Sequence, residues 1–129
     1  MSTGFFFNKN QLTEWLIVVQ YIGVVFKKIM SIANFGVEKY CVIRTYSAGV
    51  HCGIISERDG TEVLVKNARR IHYWTEAFTL NEIALNGAGE KSRLSDIIPE
   101  ILLTEVIEII PCSPESREWL SEKKAHEIK

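Results

Sequence analysis

The sequence predicts an α+β fold: a long N-terminal oligomerisation helix within residues 1–36, then a small antiparallel β-sheet domain with two short helices over 37–129. Three observations lead there. Apolar residues crowd positions 12–30 on more than one side of a helix. Beyond Gly36 the apolar period shortens from that of a helix to the alternation of strands. Turn signals at Ser47-Ala48-Gly49 and Asp59-Gly60 then divide the chain into short strands. With 129 residues, 47% hydrophobic and 24% charged, the chain is one domain or two at most, with enough apolar material for a core.

The helix is expected from about Asn10 to Asn34, with Asn8 and Gln11 as a capping box and Gly36 as its stop. At about 1.5 Å per residue it approaches 40 Å. Leu12, Trp15, Leu16, Val18, Tyr21, Ile22, Val25 and Phe26 leave little of its circumference polar, so burial against other copies of the chain is expected. The β-branched run Ile17-Val18-Val19 also suits a buried strand, and that alternative stays open. The apolar stretch Trp15–Phe26 has twelve residues, is interrupted by Gln20 and closes at Lys27-Lys28, short of the about 20 that span a bilayer. No A-x-A-like cleavage site follows it. A soluble cytoplasmic protein is the expectation.

Glu38–Tyr46 reads as the first strand, Val50–Glu57 as the second and Thr61–Trp74 as a long third, bent or bulged before His72-Tyr73-Trp74. Thr79-Leu80-Asn81-Glu82 is a capping box opening a two-turn helix that Asn86-Gly87 closes. Gly87–Ser92 is a loop, and Ile101–Ile110 an apolar strand. Ser113 as N-cap and Pro114 at the first position start a last helix, expected to fray into the charged tail.

Charge is nearly balanced at −1 but unevenly spread. Residues 1–74 carry nine basic and five acidic side chains (+4), residues 75–129 six and eleven (−5). The balance argues against a polynucleotide bound by charge alone, while the basic half suits phosphate groups. Cys41, Cys52 and Cys112 are three, without a CxxC pair, so a disulfide framework and a zinc site are not expected, and free thiols suit a reducing compartment. His51 and Cys52, adjacent in a strand, point to opposite faces and make no nucleophile–base pair; Glu105 and Glu108 differ in strand parity in the same way. With no phosphate-loop, GxGxxG or GxSxG motif, neither catalysis nor a cofactor or resident metal is expected.

Binding features are better represented. Alternation places Lys66, Ala68, Arg70 and His72 on one strand face and Asn67, Arg69 and Ile71 on the other, beside Tyr73 and Trp74. Guanidinium groups for phosphate and ring faces for a base are what a nucleotide needs, although the same strand also suits an ordinary solvated face. Phe78, before the helix N-terminus, is placed to stack a base near amides that favour an anion, or to serve as a hydrophobic staple; Asn86 is placed to read a base edge.

Three strings, Val42-Ile43-Arg44-Thr45-Tyr46-Ser47-Ala48-Gly49-Val50, Lys66-Asn67-Ala68-Arg69-Arg70-Ile71-His72-Tyr73-Trp74 and Val106-Ile107-Glu108-Ile109-Ile110-Pro111-Cys112, resemble the first-described family of phage Thoeris anti-defence sponges. The resemblance covers about residues 38–112. It implies a non-enzymatic protein that binds the cyclic ADP-ribose isomer made by TIR-domain defence proteins, in some relatives cyclic oligonucleotides as well, and assembles as dimers that associate into hexamers. With it, the expected ligand-binding set is Arg44, Ser47, Ala48, Gly49, Arg69, Arg70, Phe78, Asn86 and Arg93. A phosphodiesterase acting on the same signal and a nucleic-acid-binding structural protein are the rivals.

Overall fold

The computed structural model describes residues 9–127, the side chains of residues 9 and 28–30 excepted. The chain divides into two compact units, one up to Ala33 and one from Asn34 onward. The first is helix α1, Lys9–Ala33, so the β-branched run at Ile17 is helical. Asn8, half of the expected capping box, lies outside the described residues. Leu12, Trp15, Leu16, Ile17, Val18, Val19, Tyr21, Ile22, Val24, Val25 and Phe26 are all exposed within the single chain. The stretch Asn10–Ala33, which holds 18 consecutive residues of mean hydropathy 1.7, is long and apolar enough to cross a membrane by length and composition. The twelve-residue run read from the sequence is thus only the centre of a longer apolar segment.

In the second unit, β1 (Tyr40–Thr45), β2 (Val50–Asp59) and β3 (Glu62–Tyr73) form two antiparallel hairpins. Helix α2 (Leu80–Asn86) follows, then β4 (Arg93–Leu94), β5 (Ile98–Leu103), β6 (Val106–Pro111) and α3 (Pro114–Glu122). The sheet order is β4-β3-β2-β1-β6, with β5 also on β3. The expected single strand Ile101–Ile110 is therefore two. Its halves pair with strands at opposite ends of the β1–β3 meander, β5 with β3 and β6 with β1. Only Thr104 and Glu105 separate β5 from β6, so the sheet must curl to bring those strands together. The corner holds through tertiary hydrogen bonds, from Tyr46 N to Glu105 O (2.9 Å) and from Val106 N to Thr61 O (3.1 Å), rather than through turn-forming residues.

Curling gives the sheet two cores. Inside it lie Cys41, Ile43, Ile55, Val63, Val65, Ala68, Leu103 and Val106. Its other face carries Tyr40, Val42, Cys52 and Ile71 beneath Ile83 and Ala84 of α2 and Leu120 of α3. Burying a side chain such as Leu120 fully contributes about 1.5–3 kcal/mol, which fastens a nine-residue helix. Both expected caps are present: Thr79 Oγ1 accepts from Glu82 N (3.3 Å) and Ser113 Oγ from Ser116 N (3.1 Å). Gly87 closes α2 at φ 79°, and a Cβ there would lie 2.8 Å from the Trp119 ring, so α3 packs directly on bare backbone.

A bulge in β3 overturns the expected alternation. Cys52 pairs with Arg69 and Ile54 with Lys66, so Asn67 and Ala68 face Gly53 alone, with Asn67 left-handed at φ 50°. A Cβ on Gly53 would meet Lys66 O at 2.8 Å, so the close approach needs a glycine there. The extra residue puts Lys66, Arg69 and Ile71 on the helix-covered face and Arg70 on the inner one. The tail also differs from its expected fraying. His126 N donates to Leu94 O (3.0 Å), and its ring meets His72 edge-on at 6.0 Å.

Candidate functional site

Strand β1 buries Tyr40, Cys41, Val42, Ile43 and Thr45 and exposes Arg44 alone. Arg44 lies opposite Val50 on β2 and Glu108 on β6, so all three side chains share the helix-covered face near its open end. Arg44 Nη1 meets Glu108 Oε1 at 3.1 Å, with both side chains about half exposed. Beyond them, Trp74 and the segment Phe78–Asn81 close a cleft of about 400 Å³. The Phe78 ring is 95% exposed at its edge. A cation, an upright ring and polar groups on Thr79 and Asn81 thus share one concavity, within the size range of small-molecule sites.

The start of α2 is already satisfied. Phe78 N donates to Glu82 Oε2 (3.1 Å) and Glu82 N to Thr79 Oγ1 (3.3 Å). The chain's own carboxylate stands where an anion was expected, so Phe78 is left with its ring as its contribution. The Ser47-Ala48-Gly49 turn is self-contained: Thr45 Oγ1 donates to Gly49 O (2.7 Å) and accepts from Ala48 N (2.9 Å), and Gly49 takes φ 84°. Ser47 Oγ donates to Glu105 Oε2 at 2.7 Å. The turn supports the Arg44 end of β1 without lining the cleft.

The remaining expected residues lie elsewhere. Arg69 is 2% exposed and donates through Nε to Ser95 O (2.9 Å) and through Nη1 to Leu120 O (2.8 Å). It clamps α3 to the β4–β5 link and has no guanidinium edge to offer a phosphate; the bulge put it under α3. Arg70 is exposed on the opposite sheet face from Arg44, its Nε donating to His51 Nε2 at 3.2 Å. One ligand in one chain cannot meet both arginines. Asn86 is at the far end of α2, about 9 Å along the axis from Leu80. Arg93 sits over the Tyr73 ring (5.3 Å) beside a separate, shallow basin with Lys91, Lys123 and Lys124. Of nine expected residues, only Arg44 and Phe78 meet in the cleft. Trp74, named from the sequence as a ring beside the cations, also lines it, whereas Asn81 and Glu108 were missed, because strand pairing and the path of the β3–α2 link bring them in and neither has a local sequence signal.

His51 is buried, and burial together with the Arg70 charge lowers its pKa to about 4, which keeps the ring neutral. Burial raises Cys41 to about 12 and Cys52 to about 11, and raises Cys112 as well, so all three favour the unreactive thiol. His51 faces the inner core with Arg70, whereas Cys52 lies on the other face and accepts from Tyr40 Oη at 3.4 Å. Among the described residues, no group of three or more His, Cys, Asp or Glu is arranged to hold a metal ion.

The fold and cleft define a small α+β domain with a ring-and-cation cleft at the open rim of a curled sheet. Residues 38–120 match the family model described as Domain of unknown function (DUF6948), and the chain belongs to that family. No curated protein and no solved structure matches it.

Proposed function

We propose that this protein captures a cyclic nucleotide of the cyclic ADP-ribose type in the Arg44–Phe78 cleft and holds it uncleaved. It would thereby remove an immune signal in the cytoplasm of a phage-infected bacterium, as the anti-defence sponges it resembles do. The observation that carries this reading is Phe78, an aromatic ring 95% exposed beside a guanidinium in a cleft of about 400 Å³. A core aromatic buries its area; one left standing in water at a cleft edge is available to stack. Arg44 supplies charge for a phosphate, exchanging its exposed Glu108 partner at little cost, because such pairs contribute about 0–1 kcal/mol. In this reading α1 joins copies of the chain, since its described apolar residues from Leu12 to Phe26 are exposed.

Titration calorimetry with cyclic ADP-ribose and full-length protein tests the cleft. The parent binds, and Arg44→Gln weakens binding by about tenfold or more, because a hydrogen bond to a charged group contributes about 1.5–3 kcal/mol. Equal affinities for parent and variant would remove the cleft from the account.

A further inference from the structure

The described ion pairs of the β domain hold Arg44 on Glu108, Lys66 on Glu100 and Lys123 on Glu90. Arg69 is buried on carbonyl oxygens. Arg70 differs from all of these: its guanidinium is held by a neutral base, His51, and no described carboxylate lies within ion-pair distance of it. His51 Nε2 accepts from Arg70 Nε, so the ring's proton sits on Nδ1, and Nδ1 has no partner among the described residues. The imidazole is 1% exposed and its one side-chain hydrogen bond goes to Arg70. It fixes the guanidinium without discharging it.

With Nε taken, the two terminal nitrogens of Arg70 form a free fork of the kind that grips a carboxylate or phosphate through paired bonds. The strand beneath is anchored as well, since Arg70 N donates to Ser95 Oγ at 2.8 Å. Beside the fork lies a cavity of about 260 Å³ with Ala68, Ile98 and Ile101 in its walls. That space equals the share of about nine waters and is below the usual range for drug-sized ligands. It opens on the sheet face opposite the Arg44 cleft.

We propose that this hollow is a second binding site, which takes a small organic anion, a carboxylate or phosphate monoester on a compact apolar body, with Arg70 as the binding residue and His51 as its positioning residue. The site is independent of the nucleotide cleft.

Titration calorimetry of the full-length protein with phenyl phosphate, benzoate and inorganic phosphate tests it. At least one of the two organic anions binds, and inorganic phosphate binds about tenfold more weakly than the better of them, because it lacks the apolar body. Arg70→Gln, a surface change, loses about tenfold or more. His51→Leu, which removes the acceptor, weakens binding comparably, and His51→Gln, which keeps a neutral acceptor, restores it. Phe78→Ala leaves all three titrations unchanged. The proposal is overturned if neither organic anion binds at millimolar concentration, if Arg70→Gln binds as the parent does, or if His51→Gln is as weak as His51→Leu. It also falls if Phe78→Ala abolishes binding, which would place the probe in the other cleft. Loss of cyclic ADP-ribose binding alone bears on the nucleotide reading and leaves this site standing.

Discussion

At the scale of single residues, exposure separates function from packing more sharply than residue type does. Phe78 and Ile83 are both apolar and five positions apart, yet Ile83 is fully buried and Phe78 is 95% exposed. Phe78→Ala should therefore leave the melting temperature unchanged, since no buried contact is lost. Nucleotide affinity should fall by the about 1–3 kcal/mol that stacking contributes, roughly 5–150-fold. A melting curve beside a binding titration checks both halves. His51 yields a pH dependence. Its folded pKa of about 4 lies below the 6.5 of the unfolded chain, so the unfolded state takes up a proton first as pH falls. The neutral ring's contribution is complete above about pH 6.5 and is lost as pH falls toward 4, a loss of about 3 kcal/mol. Urea denaturation of parent and His51→Gln at pH 7 and pH 4 isolates that amount, because the other titrating groups are common to both. Equal losses would show that His51 does not titrate as described. The sequence placed Phe78 to stack a base and set Arg69 and Arg70 on opposite faces, but it gave neither the exposure of Phe78 nor the burial of Arg69. One extra residue at Asn67–Ala68 moves Lys66 onto the Arg69 face, with Arg69 beneath α3 and Arg70 beside Ala68 on the inner face.

At the scale of elements, local chemistry was legible and long-range pairing was not. Thr79 and Ser113 cap their helices, and the hairpin at Asp59-Gly60 forms, because each rests on residues within a few positions of one another. Strands β5 and β6 read as one because Thr104-Glu105 carries no Gly, Pro, Asn or Asp, and the corner is held by Thr61 and Tyr46 from distant chain. Helix α1 shows two neighbouring apolar seams at alternating spacings of three and four, Leu12, Leu16, Val19, Gly23, Phe26 and Trp15, Val18, Ile22, Val25. That is the spacing of helices packed on helices, and in the proposed oligomer each seam would take one neighbouring helix. Val18→Glu with Ile22→Glu places two charges on one seam and should dissociate the assembly, since buried unpaired charges are strongly destabilising. Light scattering in detergent-free buffer decides this. An unchanged mass, or a parent that leaves solution only with lipid vesicles, would contradict packing against copies of the chain.

At the scale of the molecule, the chain is a helical unit and a β domain, and the two proposed sites lie on opposite faces of the sheet. The cleft at Arg44 and Phe78 combines a ring, a cation and amide and hydroxyl groups, which suits recognition of a nucleotide. Glu108, the carboxylate in its lining, is tied to Arg44, and burial favours the thiol form of the three cysteines. The central claim is capture without cleavage. Its most direct test is to incubate full-length protein with cyclic ADP-ribose at a slight molar excess of protein, remove unbound ligand by filtration, then denature the retained protein and weigh what is released by mass spectrometry. The account predicts that ligand is retained with the protein and released at its original mass, in the amount bound. Release of ADP-ribose or other opened products would show an enzyme, and no retention at all would show that the cleft does not take this class of ligand.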